Sequence, residues 1–319
     1  GLGFVYTSPG PRGPPPRLWG TMPCVTESSE TREVRQRYEV PSGVALRVGP
    51  RDVLAWVPGY EAAVREVAAH PDDLPLSTLG GRRPLRRVDA GGDHWLLVRE
   101  YRKGGYFKRL RAPRMTGPWR PLTELSLHRR LLALGVPVAE AVGCVILRLA
   151  VGWRGFLVLE EVPGARDLEA ILYGLEVPGG LSRREVLQRA GRTVRLLHDA
   201  GLPHPDLHPK NLLVTSDGRI LLLDLDKAVP PEGRLGESER LGNLVRLGRA
   251  IEKHRLKGLM VSRRDALRFL EGYAGSREAA ALWLEQIRVR LQRGLGVRIV
   301  WWHLMGQARP WRPPEQVDA

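Results

Sequence analysis

Between residues 44 and 161 apolar and polar positions alternate in short runs broken by glycine turns, and beyond residue 162 the spacing lengthens to that of helices. GVALRVG and HWLLVREY (94–101) show the two-residue period of half-buried strands. GGRRPLRRV (80–88) runs into DAGGD (89–93), where Gly91-Gly92 supplies the positive φ of a tight hairpin. RPLTELSLHRRLLALG (120–135) has apolar residues at helical spacing and stops at Gly135. VILRLAVGWRGFLVLEEV (145–162) reads as a second hairpin turning at Gly152-Trp153. PGARDLEAILYGL then opens helical territory. SRREVLQRAGRTVRLLHDAG (182–201) is a helix capped by Ser182 and closed at Gly201, and 237–254 and 263–274 are helical too. Strands with one helix, then helices with one strand pair, predict an α+β chain in two lobes with its boundary near Glu161.

The ends of the chain read differently. Residues 1–21 are rich in Pro and Gly without periodicity, and 1–43 is expected to be a disordered extension. The first Met is Met22, which is expected to be the true start. Residues 44–161 are then the N-lobe and 162–319 the C-lobe. Residues 288–312 interleave Arg with Trp301, Trp302 and Trp311, a composition that suits a membrane interface.

Composition changes this picture in one respect. Hydrophobic content of 43% and charged content of 27% are ordinary for a globular chain, but the net charge is +15. Such a field favours anionic partners: nucleotides, nucleic acid or an anionic membrane face. Arginine carries most of it, which also fits a GC-rich coding sequence. Cys24 and Cys144 form neither a disulfide framework nor a metal pair, which suits a reducing cytoplasm. No apolar run approaches about 18 residues. The expected protein is therefore soluble or peripheral rather than spanning.

The densest chemistry lies in HPDLHPKNLLVTSDGRILLLDLDKAV (204–229). LLVTSDGRILLLDLD is a hairpin turning at Asp217-Gly218, so Asp224 returns to the end where Asp206 and Asn211 start. Oxygen ligands from two segments thus meet, as a hard cation shared with phosphates requires.

This stretch resembles the catalytic loop and metal aspartate of the protein-kinase-like fold. His204-x-Asp206-Leu207-x-x-x-Asn211 is similar to H-R-D-L-x-x-x-N, with the same five-residue step from Asp to Asn, and Asp224 matches the D-F-G aspartate. The resemblance implies a bilobal fold, with a small antiparallel-sheet N-lobe carrying one helix and a larger, mainly helical C-lobe. It implies ATP and Mg²⁺ as cofactors, Asp206 as the base or orienting group, and Asn211 and Asp224 as metal ligands. It places Arg99 at the phosphates, where kinases carry lysine, paired with Glu124; Lys103 and Lys108 are nearby alternatives. Gly80 and Gly81 would cap the phosphates. The backbone around Glu161, in the hinge 160–162, would hold adenine.

Pro205 stands where regulated protein kinases have arginine, and no A-P-E segment follows, so small-molecule or lipid-sugar acceptors fit better than proteins. LVREYRKGG (97–105), ELSLHRRLLALGVPVAEAV (124–142), LVLEEVPGARDL (157–168), LDLDK (223–227) and NLVRLGRAIEK (243–253) are together similar to the lipopolysaccharide core kinases, the 3-deoxy-D-manno-octulosonic acid (Kdo) kinases among them. In that family arginine is the usual residue at position 99. The resemblance implies phosphoryl transfer to Kdo on lipid A at the cytoplasmic face of the inner membrane, with an anionic membrane surface as partner and neither nucleic acid nor a protein partner. Competing readings are a phosphotransferase for a soluble sugar or aminoglycoside, a pseudokinase scaffold, and a nucleic-acid binder suggested by charge alone.

Overall fold

A computed structural model of the chain describes residues 28–77, 85–101, 118–226, 228 and 233–292. Gly80, Gly81, Lys103, Lys108, Trp301, Trp302, Trp311 and residues 1–21 lie outside them.

The chain enters through helix α1 (Ser29–Arg37), inside the stretch expected to be a disordered extension. The local chemistry accounts for the helix. Ser28 caps it, its Oγ accepting from the Thr31 N–H at 3.1 Å, with Glu30 in the first turn and Arg35 and Arg37 in the last. Val34 and Val40 then join the core.

Strands β1 (Ala45–Val48), β2 (Asp52–Trp56), β3 (Arg86–Asp89), β4 (Trp95–Glu100), β5 (Ala141–Arg148) and β6 (Trp153–Glu160) form one antiparallel sheet in the order β1-β2-β5-β6-β4-β3. The strand period sorts its residues to two faces. Val53, Ala55, Cys144, Ile146 and Leu157 pack with α1 and with Leu122 and Leu125 of α3 (Arg120–Ala133). Leu54, Val145, Phe156 and Val158 pack on the other face with Val64 and Val67 of α2 (Glu61–Ala69), a helix that the strand-rich pattern hid.

After Glu160 the chain leaves this sheet. Strand β7 (Arg166–Asp167) pairs with β8 (Leu212–Val214), and β8 with β9 (Ile220–Leu222), in a small second sheet. Around it lie α4 (Leu168–Leu172), α5 (Arg183–Asp199), α6 (Glu237–Arg255), α7 (Arg263–Ala274) and α8 (Arg277–Gln292). Ser182 and Glu185 close a reciprocal capping box on α5. Helix α8 reaches Gln292, so the first residues of the basic 288–312 segment are its last turn. Helices α5 and α7 pack at backbone distance: a Cβ at Gly191 would fall 1.9 Å from the Phe269 carbonyl oxygen, and one at Gly272 1.8 Å from that of Gln188. Only glycine fits either position.

The lobes share an apolar seam. Leu127 and Leu131 of α3, with Val136 and Val138 just beyond it, belong to the core of the helical lobe. Leu222 donates its N–H to the Pro137 carbonyl at 3.0 Å and accepts from the Ala139 N–H at 2.9 Å. The architecture is α+β and bilobal, of the kinase-like kind.

Candidate active site

Helix α5 ends at Asp199, Gly201 turns the chain at φ 83°, and the following loop carries His204, Asp206 and His208 into a 3-10 turn at Pro209–Asn211. Internal bonds hold the loop. His204 Nδ1 accepts the Asp206 N–H at 3.1 Å, which leaves Nε2–H to donate to the Leu223 carbonyl at 2.8 Å. Leu223 N–H in turn donates to the Asn211 carbonyl at 3.0 Å, tying the strand back to the loop. His204 is thus the clasp between the two segments that the motif predicted to meet. Burial, the largest influence, lowers its pKa, in keeping with a neutral ring.

Asn211 donates from Nδ2 to the Asp206 carbonyl at 2.9 Å, so its amide oxygen is the atom left to accept. Asp224 follows β9 with φ 58°, the left-handed region that aspartate tolerates better than most residues, at a cost of about 1 kcal/mol or more. Its carboxylate is half exposed and faces Arg99, with Nη1 to Oδ1 at 2.9 Å.

Arg99 reaches in from β4. Its second terminal nitrogen, Nη2, donates to Glu124 Oε2 at 2.5 Å and to the Tyr101 hydroxyl oxygen at 3.1 Å, and Tyr101 donates to the same Glu124 oxygen. The guanidinium fork therefore spans a buried glutamate on α3 and an aspartate of the helical lobe, with a separate nitrogen for each. Burial pushes the Glu124 carboxyl up, but Arg99, His128 and Tyr101 together draw it down to about 2. His128 donates from Nδ1 to the Ala139 carbonyl at 2.6 Å and turns Nε2 toward Glu124 Oε1, 3.5 Å away.

An amide oxygen and a carboxylate suit Mg²⁺, which binds few protein groups and takes its other ligands from phosphate and water. Among the described residues no cluster of three His, Cys, Asp or Glu forms a self-sufficient metal cage. The donor set is one that a metal arriving with a nucleotide would complete.

The hinge backbone is partly committed at Glu161. Its backbone N–H is donated to the Trp95 carbonyl at 3.2 Å, and its carboxylate holds Arg87 at 2.9 Å, where Arg87 also lies over the Trp95 ring. The Glu160 N–H is likewise donated to the Glu140 carbonyl at 2.9 Å, whereas for the Val162 N–H no bond is seen among the described residues.

Sequence reasoning missed the support beneath the loop. Asn243 on α6 bonds both backbone groups of His204 and the ring of His198, which in turn accepts from the Tyr273 hydroxyl. It also missed Asp167, the cap of α4, whose Oδ1 accepts the Ala170 N–H at 2.8 Å.

Comparison with known proteins agrees with this geometry. The model of the lipopolysaccharide kinase (Kdo/WaaP) family matches residues 74–273. The chain is similar to the 3-deoxy-D-manno-octulosonic acid kinase of Vibrio cholerae serotype O1, 33% identical over 161 residues, covering 49% of this chain and 65% of that protein. The enzyme of the same name from Photobacterium profundum is 34% identical over 167 residues (51% and 67%), and that of Xanthomonas campestris pv. campestris 32% over 182 residues (55% and 69%). The match thus spans about two thirds of these relatives' length. The chain belongs to the lipopolysaccharide kinase (Kdo/WaaP) family, a family of ATP-dependent phosphotransferases.

Proposed function

We propose that this protein transfers the γ-phosphate of ATP to a hydroxyl of Kdo in the inner core of lipopolysaccharide. The observation that carries the reading is the convergence of Asp206, Asn211 and Asp224 at one end of the β8–β9 hairpin, facing the Arg99–Glu124 pair, in a chain of this family. The acceptor oxygen forms the new bond to the γ-phosphorus as the β–γ bridging P–O bond breaks, and ADP leaves with that electron pair. Asp206 orients the hydroxyl and receives its proton, which then passes to water. Arg99, held by Glu124, positions the nucleotide phosphates. Asn211 and Asp224 would hold Mg²⁺, which when bound neutralises charge on the phosphates.

The protein is expected to work on the cytoplasmic face of the inner membrane as a peripheral enzyme. No helix among the described residues is long and apolar enough to cross a membrane. The charge of +15 favours an anionic lipid surface and a phosphorylated acceptor.

The test is transfer of labelled phosphate from Mg-ATP to Kdo-bearing lipid A precursor, with Asp206→Ala beside the wild type. Label in the lipid, reduced roughly 10³-fold or more in the variant, is the expected result. Transfer to soluble sugars but not to the lipid would replace this acceptor assignment with a small-molecule one.

A further inference from the structure

We propose that Lys210 anchors an anionic group of the acceptor, a carboxylate or a phosphate, beside the hydroxyl that is phosphorylated. The inference rests on the kinase reading above and deepens it by naming what the acceptor must carry.

Lys210 is the middle residue of the 3-10 turn Pro209–Asn211, between the proposed base and the first proposed metal ligand. The turn is rigid. His208 caps it, with Nδ1 accepting the Lys210 N–H at 3.2 Å, and Pro209 fixes one of its torsions. His208 Nε2 lies 3.5 Å from Asp206 Oδ2, so the cap also faces the proposed base. Successive side chains on a 3-10 turn diverge by about 120°. Asn211 turns back to the Asp206 carbonyl, and the neighbouring Lys210 lies close enough to the start of α4 to act electrostatically on Asp167.

Asp167 stands there and senses both Lys210 and His208 electrostatically. No ion pair joins it to the lysine among the described residues, and its Oδ1 accepts the Ala170 N–H. Among the described residues the arginines of the site are engaged: Arg99 on Glu124 and Asp224, and Arg120 on Asp226. The Lys210 ammonium has neither ion pair nor hydrogen bond among the described residues. An uncommitted cation on a rigid turn beside the base is what recognition of an acidic acceptor needs. Kdo is a sugar acid, and lipid A supplies phosphates, so two anions on one acceptor are candidates.

The experiment is acceptor kinetics of wild type, Lys210→Ala and Lys210→Arg on three acceptors: Kdo-bearing lipid A precursor, the same with its carboxylate converted to a carboxamide, and the same with its lipid A phosphates removed. Lys210→Ala is expected to raise KM for the intact acceptor about 10- to 100-fold, the loss of one charge-assisted contact, while KM for ATP holds. Lys210→Arg should recover most of that loss. If the carboxamide abolishes the difference between wild type and Lys210→Ala, the anion is the sugar carboxylate; if phosphate removal does so, it is a lipid phosphate. An unchanged acceptor KM in Lys210→Ala, or a rise in KM for ATP instead, overturns the assignment while leaving the kinase reading intact. Wild type inert toward all three acceptors overturns both.

Discussion

Asn243 and His204 exchange two hydrogen bonds between α6 and the loop of the proposed base. Asn243 Oδ1 accepts the His204 N–H at 3.1 Å, and Nδ2 donates to the His204 carbonyl at 2.8 Å. The same Oδ1 takes the His198 Nε2–H at 2.9 Å, and His198 Nδ1 accepts the Tyr273 hydroxyl at 2.9 Å. One side-chain amide therefore holds the loop from beneath and links it to α5 and α7.

Asn243→Ala should strip three buried groups of their partners at once. Each buried group left unpaired costs about 1–3 kcal/mol, and partial relaxation brings the expected loss of folding stability to about 2–4 kcal/mol. Displacing the loop by even an ångström should lower kcat by at least about 10-fold. Urea unfolding and steady-state kinetics check the two effects, and an unchanged kcat would sink the positioning role.

Arg99→Lys should separate the two ends of the fork. Lysine brings one nitrogen where arginine brings one to Glu124 and another to Asp224. KM for ATP is expected to rise while the protein stays folded. Glu124→Gln, in contrast, leaves Arg99 without its buried partner and should cost about 3 kcal/mol of stability as well as activity. Comparable unfolding midpoints for the two variants would contradict this division of labour.

Acid should destabilise the protein in two steps. Burial draws the His198 pKa from 6.5 to about 4, so between those values the unfolded chain takes up a proton that the folded one refuses. Stability is therefore lost as pH falls through that window, by about 3 kcal/mol in total. Glu124, drawn to about 2 by Arg99 against the effect of burial, adds a stabilisation that is complete above about 4.5 and disappears as pH falls toward 2. Urea midpoints measured across pH should lose the upper step in His198→Gln and the lower one in Glu124→Gln.

What the sequence made legible was local. Ser182, Gly135, Gly152 and the Asp217-Gly218 turn mark the ends of their elements because caps and turns are decided by a few neighbouring residues. The spacing of Asp206, Asn211 and Asp224 was readable for the same reason, since one hairpin brings them together. Helix α1 was obscured by its Pro- and Gly-rich surroundings, although Ser28 and the charges of its two ends were visible signals. Asn243 was not legible at all: an asparagine inside a helix acquires its role only when α6 is laid beneath a loop 39 residues earlier. The bond from the Glu161 N–H to Trp95 was not legible either, because it depends on strand pairing across the sheet.

The two hydrogen bonds between Leu222 and the segment after α3 make that segment a fulcrum. Leu131 lies beside it, whereas Glu124 stands two turns farther along the lever, roughly 10 Å away by helix rise. A tilt of the strand lobe by about 10° would displace Glu124 by roughly 2 Å and leave Leu131 almost still. Any closing of the cleft over a nucleotide is thereby amplified at the glutamate that grips Arg99 and muted at the core shared by the lobes.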